Sequence, residues 1–217
     1  MGLQLQDLGV KVDVVAGLPR GGVVVAAEVA EVLQRPLEIL VVRKIGHPWH
    51  REFAVGALAE NDVVILDEGP LTYALPPGDE LDEVIVEEHE RLEEYCHKFC
   101  PDHIASFSGK RVLVVDDGLA TGATAEAAVR CAFAKKAEQV IVAVPVASAN
   151  GYERLAWIAD RVITLLTDPY LSAVGEYYKQ FNQTTDEEVS ELLHRPHGTR
   201  QDSKNPLKPS TTIRWAG

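Results

Sequence analysis

An open, doubly wound α/β fold on a mainly parallel sheet is predicted for this chain by two observations. Short runs such as "VLVV" (112–115) and "VIVAVPVA" (140–147) are apolar throughout, without the alternation of a strand that has one wet face. Stretches with helical spacing of Ala, Val and Leu follow them, and the two kinds of segment alternate along the chain, as a parallel sheet covered on both faces requires. With 217 residues and 46% hydrophobic content, the chain can bury the core of one such domain.

The elements follow in order. "VDVVAGLP" (12–19) is a β-branched strand ended by Gly and Pro, and "GGVVVAAEVAEVLQ" (21–34) is the helix after it. "LEILVVRK" (37–44) is a second strand, "IGHPWHRE" (45–52) a polar loop, and "FAVGALAE" with "DVVILDEG" a hairpin across the turn at 60–62. Residues 78–100 form a long helix with Leu81, Ile85, Leu92, Cys96 and Phe99 on one face and acids on a solvated one. "RVLVVDD" (111–117), 139–147 and 160–167 are strands, separated by helices at 122–136 and 150–159, and Trp157 is expected to pack the second of these helices on the sheet. Thr185 caps a short helix at 185–194. The domain therefore spans 1–195, and the Pro-, Ser- and Thr-rich stretch 196–217, which lacks an apolar period, is expected to be disordered.

Composition excludes several classes of function. Lys plus Arg number 21 against 33 Asp plus Glu, a formal charge of −12 that disfavours nucleic acid as a partner. No apolar run approaches the ~20 residues of a membrane span, and the first residues lack a secretory pattern, so the expected location is the cytoplasm and no membrane partner is expected. Cys96, Cys100 and Cys131 fit reduced thiols. Cys96 and Cys100, with His89, His97 and His103 nearby, continue a helix stripe rather than forming a zinc set, and no dedicated protein metal site is expected.

The chemistry lies in "VLVVDDGLATGAT" (112–124). Asp116 and Asp117 stand side by side at the end of a strand, where like charges repel and only a ligand rewards them. The next residues turn into a helix whose first amides lack helical partners; with the Thr121 and Thr124 hydroxyls, and with Gly122 admitting a close approach, they make a phosphate cradle. Two carboxylates beside a phosphate cradle suit a vicinal diol, the pattern of a ribose 5-phosphate. A plain capped turn explains Thr121 and Gly122 but not the acids. The stretch is not a Walker loop, because no Lys follows the glycine.

This run, four apolar residues, two acids, three residues and Thr-Gly-x-Thr, resembles the 5-phosphoribosyl-1-pyrophosphate (PRPP) signature of type I phosphoribosyltransferases, and with "RGGVVVAAEVA", "VVRK" and "EFAVGA" it is most similar to a bacterial group of predicted phosphoribosyltransferases, over about residues 12–195. The resemblance implies the type I fold with a flexible hood or hairpin. It assigns ribose and 5-phosphate binding to Asp116, Asp117, Gly118, Ala120, Thr121, Gly122, Ala123 and Thr124. It assigns pyrophosphate binding to the loop Leu18, Pro19, Arg20, Gly21 and Gly22, often of unusual peptide geometry, and a catalytic role to Arg43 and Lys44 with Asp116 and Asp117. Arg43 and Lys44 would enter a mobile hood, to which His47, His50 and Arg51 add cations. Mg²⁺, bound mainly through PRPP, is the implied cofactor. The implied function is transfer of the 5-phosphoribosyl group to a nitrogen nucleophile, a nucleobase foremost, with release of pyrophosphate; the alternative is a non-catalytic PRPP-binding regulator. Ala120 stands where hypoxanthine–guanine enzymes carry an acidic base, which argues against a 6-oxopurine acceptor. Tyr177 and Tyr178 are read as core or surface aromatics ahead of an acceptor-pocket role. A homodimer is common among such folds. The family pattern also leads one to expect a helix before the first strand, which the short start does not suggest, and hence an N-terminal truncation or misassigned start.

Overall fold

The computed structural model of the chain describes residues 1–66, 79–99 and 107–195. Helix α1 (Gly2–Asp7) precedes strand β1 (Val14–Gly17), helix α2 (Gly21–Leu33) and strand β2 (Leu37–Ile39). Strands β3 (Val42–His47), β4 (His50–Ala59) and β5 (Val63–Leu66) lead to helix α3 (Glu80–Phe99). Strand β6 (Arg111–Val115), helix α4 (Ala123–Ala134), strand β7 (Gln139–Ala147), helix α5 (Ala149–Ala156) and strand β8 (Arg161–Thr167) complete the core, followed by a 3₁₀ turn at Val174–Tyr177 and helix α6 (Asp186–His194).

The expected doubly wound sheet is present, five parallel strands in the order β2-β1-β6-β7-β8. Its strands are buried on both faces, which is why they are apolar without alternation. Val15, Leu113, Val115 and Ile141 face one core with α2, α3 and α6. Val14, Ala16, Val112, Val114 and Val142 face the other with α4. At the amino ends of β1 and β6, Arg111 grips Asp13 with two hydrogen bonds, Nε to Oδ2 at 3.0 Å and the second nitrogen to Oδ1 at 2.7 Å. These bonds hold the Asp13 carboxyl well below the usual carboxylate range.

The segment 37–52 departs from expectation. The stretch 37–44 is divided between two sheets, because Leu40 still donates to Gly17 O (3.0 Å) whereas the Val41 amide donates to the Glu60 side chain (2.9 Å) and β3 then starts afresh. The polar stretch 45–52 is not a loop but the facing ends of β3 and β4, paired from Val42↔Ala59 to His47↔His50. Gly46 reads as a breaker, yet it serves close approach, since a Cβ there would meet Arg51 O at 2.4 Å. The turn at 60–62 lies as expected, with Asn61 and Asp62 at positive φ, and β4 pairs with β5 in an antiparallel sheet of three strands. Val42, Ala57 and Ala59 of this sheet pack on the α4 side, and Ile45, Val55 and Leu58 on the α3 side. Glu60 pairs with the buried ammonium of Lys135, which ties the β4–β5 turn to the end of α4.

Two further corrections concern the helices. The helix thought to be missing before the first strand is present as α1, with Leu5 fully buried. Trp157 does not pack on the sheet: Leu155 does, and the ring two residues on, about 200° around the helix, is 89% exposed. The stretch 196–217, with the disorder expected of it, and Cys100 and His103 lie outside the described residues.

Candidate active site

β1 and β6 are neighbours in register (Gly17↔Val115), but the chain leaves β1 towards β2 on one side and β6 towards β7 on the other. This is the switch point at which an open parallel sheet opens a crevice beyond its carboxyl ends. Leu18 extends the ladder by donating to Val115 O at 3.0 Å, so the loops 18–22 and 116–122 leave the sheet together.

They meet at two pairs of residues. A Cβ on Gly21 would stand 2.0 Å from Asp117 Oδ2, and one on Gly22 would stand 2.7 Å from Asp116 Oδ1 and 2.9 Å from Asp116 Cα. Only glycines let the start of α2 lie this close to the acids. The Pro19–Arg20 peptide within the first of these loops is cis. The acids themselves are half-buried. Asp116 Oδ1 accepts the Asp117 amide at 2.9 Å. Burial first, then the charge of Asp117, raises the Asp116 carboxyl well above its ordinary value, while Lys44 pulls it down. Burial likewise pushes Asp117 up to about 6, against the pull of Lys44. Tyr178 completes this corner: its hydroxyl donates to Asp117 O at 2.6 Å and its ring lies 5.1 Å from that of Phe181.

The turn after the acids is anchored to the neighbouring strand. Leu119 donates to Val146 O (2.9 Å), Ser148 returns a bond to Leu119 O (2.8 Å), and the Ser148 hydroxyl donates to Ala120 O (2.5 Å). Gly122 caps α4 at φ +79°, a left-handed conformation that suits glycine. The first helical bond is Glu126 N to Gly122 O at 2.8 Å, so the amides of Ala123, Thr124 and Ala125 stand ahead of the ladder, at the positive end of the helix dipole. Thr121 Oγ1 accepts the Ala123 amide at a long 3.4 Å. The predicted cradle of Gly118, Ala120, Thr121, Gly122, Ala123 and Thr124 is therefore one continuous turn beside the acids.

The predicted cations are divided. On β3, successive side chains point to opposite faces. Lys44 acts on both aspartates, whereas the Arg43 guanidinium lies 3.0 Å from Glu88 and 5.3 Å from the centre of the Tyr95 ring. Arg20 lies 3.7 Å from Asp186 of α6. Arg51 pairs with Glu87 at 3.0 Å, and His47 is buried, its Nδ1 accepting the Trp49 amide. Between this hairpin and α3 lies a cavity of about 420 Å³ bordered by Lys44, Arg51, Arg91 and Glu88.

Sequence reasoning passed over three residues here. Glu88, assigned to a solvated face, is 7% exposed and binds Arg43 and Arg91. The signal was present, because position 88 falls on the stripe that runs through Leu81, Ile85 and Leu92. Glu126 is equally buried in the first turn of α4, where Arg130 and Arg154 hold it. Nothing in the sequence links Arg154 to this turn, 28 residues from Glu126.

The chain is similar to known proteins over most of its length. Residues 3–180 match the phosphoribosyl transferase domain family. Two Mycobacterium tuberculosis proteins, from strains CDC 1551 / Oshkosh and ATCC 25618 / H37Rv and named "Putative phosphoribosyl transferase", are each 42% identical over 201 residues, covering 89% of this chain and 44% of theirs. The chain thus spans less than half the length of these curated relatives. The crystal structure of TT1426 from Thermus thermophilus superposes with a TM-score of 0.72 at 39% identity, over 88% of this chain and 91% of that one. Among the described residues, no helix is long and apolar enough to cross a membrane. The chain belongs to the phosphoribosyl transferase domain family.

Proposed function

We propose that this chain transfers the 5-phosphoribosyl group of PRPP to a nitrogen nucleophile, a nucleobase foremost, and releases pyrophosphate. The observation that carries this reading is the contact of Gly21 and Gly22 with Asp117 and Asp116, which brings a diphosphate-sized loop, a diol-binding acid pair and the α4 amide cradle to one crevice.

In this reading Asp116 and Asp117 accept hydrogen bonds from the ribose hydroxyls, and the turn Thr121–Thr124 receives the 5-phosphate on backbone amides. The diphosphate lies along 18–22, where the start of α2 offers further amides. Negative charge on the diphosphate grows as the bond to C1 of the ribose breaks, and in this reading Lys44, whose charge reaches Asp116 and Asp117, opposes it. Mg²⁺ fits this corner. The carboxylates of Asp116 and Asp117 and the hydroxyls of Thr121 and Thr124 are hard oxygen donors of the kind this ion takes, and they would hold it together with the oxygens of the substrate. When bound, the ion spreads the charge of the diphosphate. The measurement that tests the reading is pyrophosphate release from PRPP and Mg²⁺ across a panel of bases and amines, with release expected for at least one acceptor.

A second reading, a PRPP-binding regulator without turnover, is favoured by one observation: Arg43, one of the two expected leaving-group cations, is engaged by Glu88 and Tyr95. It predicts PRPP binding with no release in the whole panel.

A further inference from the structure

Asp117 lies just past the end of β6, outside the sheet ladder, and its backbone is pinned on both sides. Its amide donates to Asp116 Oδ1 at 2.9 Å. Its carbonyl accepts the Tyr178 hydroxyl at 2.6 Å, and among the described residues no backbone amide donates to that oxygen. The segment that carries Tyr178 also closes on the next residue. A Cβ on Gly118 would stand 2.6 Å from Val174 Cγ1, so Val174 and Tyr178 together clasp the Asp117–Gly118 peptide. Behind them the segment is packed on itself: the Phe181 ring lies 5.1 Å from that of Tyr178, and a Cβ on Gly175 would stand 2.9 Å from Phe181 Cδ1. The neighbouring Tyr177 hydroxyl goes elsewhere, to Asp168 Oδ2 at 2.5 Å. The Asp117 carboxylate hangs on a short side chain, so its direction follows the backbone that the Tyr178 bond fixes. A shift of that backbone would also withdraw the amide that Asp116 Oδ1 accepts, so one hydroxyl bears on both acids.

We propose that Tyr178 is a positioning residue for the acid pair: by holding the Asp117 carbonyl it aims the carboxylates of Asp116 and Asp117 at a vicinal diol. Two like charges left to themselves turn apart, and a hydrogen bond made before the ligand arrives spares the ligand the cost of bringing them together. The inference rests on the proposed function, in which these acids accept the ribose hydroxyls.

Calorimetric titration of the whole chain with ribose 5-phosphate, and with 2,3-dideoxyribose 5-phosphate, which keeps the ring and the phosphate but offers no diol, tests it on wild type, Tyr178→Phe and Tyr177→Phe. Wild type should prefer the sugar with the diol. Tyr178→Phe should weaken ribose 5-phosphate about tenfold, the scale of one hydrogen bond, and leave the dideoxy sugar unchanged, which also reports that the site is still folded. Tyr177→Phe, which removes a hydroxyl of the same segment that does not touch the acids, should bind both sugars as wild type does. An equal loss for both sugars in Tyr178→Phe would mean that the tyrosine merely supports the turn, and overturns the inference. Wild-type affinity for both sugars in Tyr178→Phe, or the same loss of diol preference in Tyr177→Phe, overturns it as well. A wild-type protein that binds neither sugar, or binds both equally, overturns the proposed function instead.

Discussion

Gly21 lies hard against Asp117: a Cβ on Gly21 would stand 2.0 Å from Asp117 Oδ2. The obstacle is the end of a short side chain that can rotate away. At Gly22 the obstacle is backbone, with Asp116 Cα at 2.9 Å and Val115 O at 3.0 Å. Gly21→Ala should therefore leave the melting temperature nearly unchanged and abolish PRPP binding by turning the Asp117 carboxylate. Gly22→Ala should cost about 1–3 kcal/mol of stability, measured by urea unfolding. Equal stability losses would contradict this account.

The acid pair sets a pH dependence of stability. The Asp117 carboxyl, at about 6 in the fold, lies above its ordinary 3.8, and Asp116 is raised as well. A raised carboxyl stabilises the fold fully below its unfolded value, and the contribution is lost as pH rises through about 6. Asp116→Asn with Asp117→Asn should thus melt above wild type at pH 8, by an amount on the order of 1–3 kcal/mol after allowance for partial exposure. The difference should shrink as pH falls through about 6 and vanish only below the ordinary value of 3.8. A double mutant less stable at pH 8 would show that the pair is held by protein contacts rather than reserved for a ligand.

Arg43 and Lys44 should separate in function. Arg43→Ala takes a partner from buried Glu88, which keeps Arg91, and should cost about 1–3 kcal/mol of stability with little change in kcat. Lys44→Ala should leave stability intact and lower kcat about a hundredfold or more, because the charge it opposes grows in the transition state. Unfolding curves and pyrophosphate-release rates on the two variants decide it, and the reverse pattern would move the catalytic assignment to Arg43.

The 5-phosphate turn should fail at its glycine before its threonines. Thr121→Ala or Thr124→Ala removes one hydroxyl and should weaken ribose 5-phosphate binding by about 1–2 kcal/mol. Gly122→Val meets both the positive φ of +79° and Gly151 O at 3.2 Å, so binding should vanish while the sheet stays folded by circular dichroism. Normal binding by Gly122→Val would place the phosphate elsewhere.

What the sequence revealed of this molecule follows from the physics of each element. β1, β6 and β7 were legible because burial on both faces makes them continuously apolar, and the turn from the acids into α4 because its residues are contiguous from Asp116 to Thr124. The β3–β4 hairpin was hidden because Gly46 and Pro48, read as loop residues, sit at a close approach and at the turn. The separation of Arg43 from Lys44 depends on the alternation of a strand not recognised beyond Lys44. The contacts of Gly22 with Asp116, of Tyr178 with Asp117 and of Arg154 with Glu126 cross 94, 61 and 28 residues of chain, distances over which local pattern carries no information.

The most direct test is titration of PRPP with Mg²⁺ into wild type and the Asp116→Asn, Asp117→Asn double mutant by calorimetry at pH 7.5. The account predicts saturable one-site binding by wild type and at least about a hundredfold weaker binding by the double mutant, from the loss of two charge-assisted hydrogen bonds to the ribose, with its fold intact. No binding by wild type, or unchanged affinity in the double mutant, would contradict it.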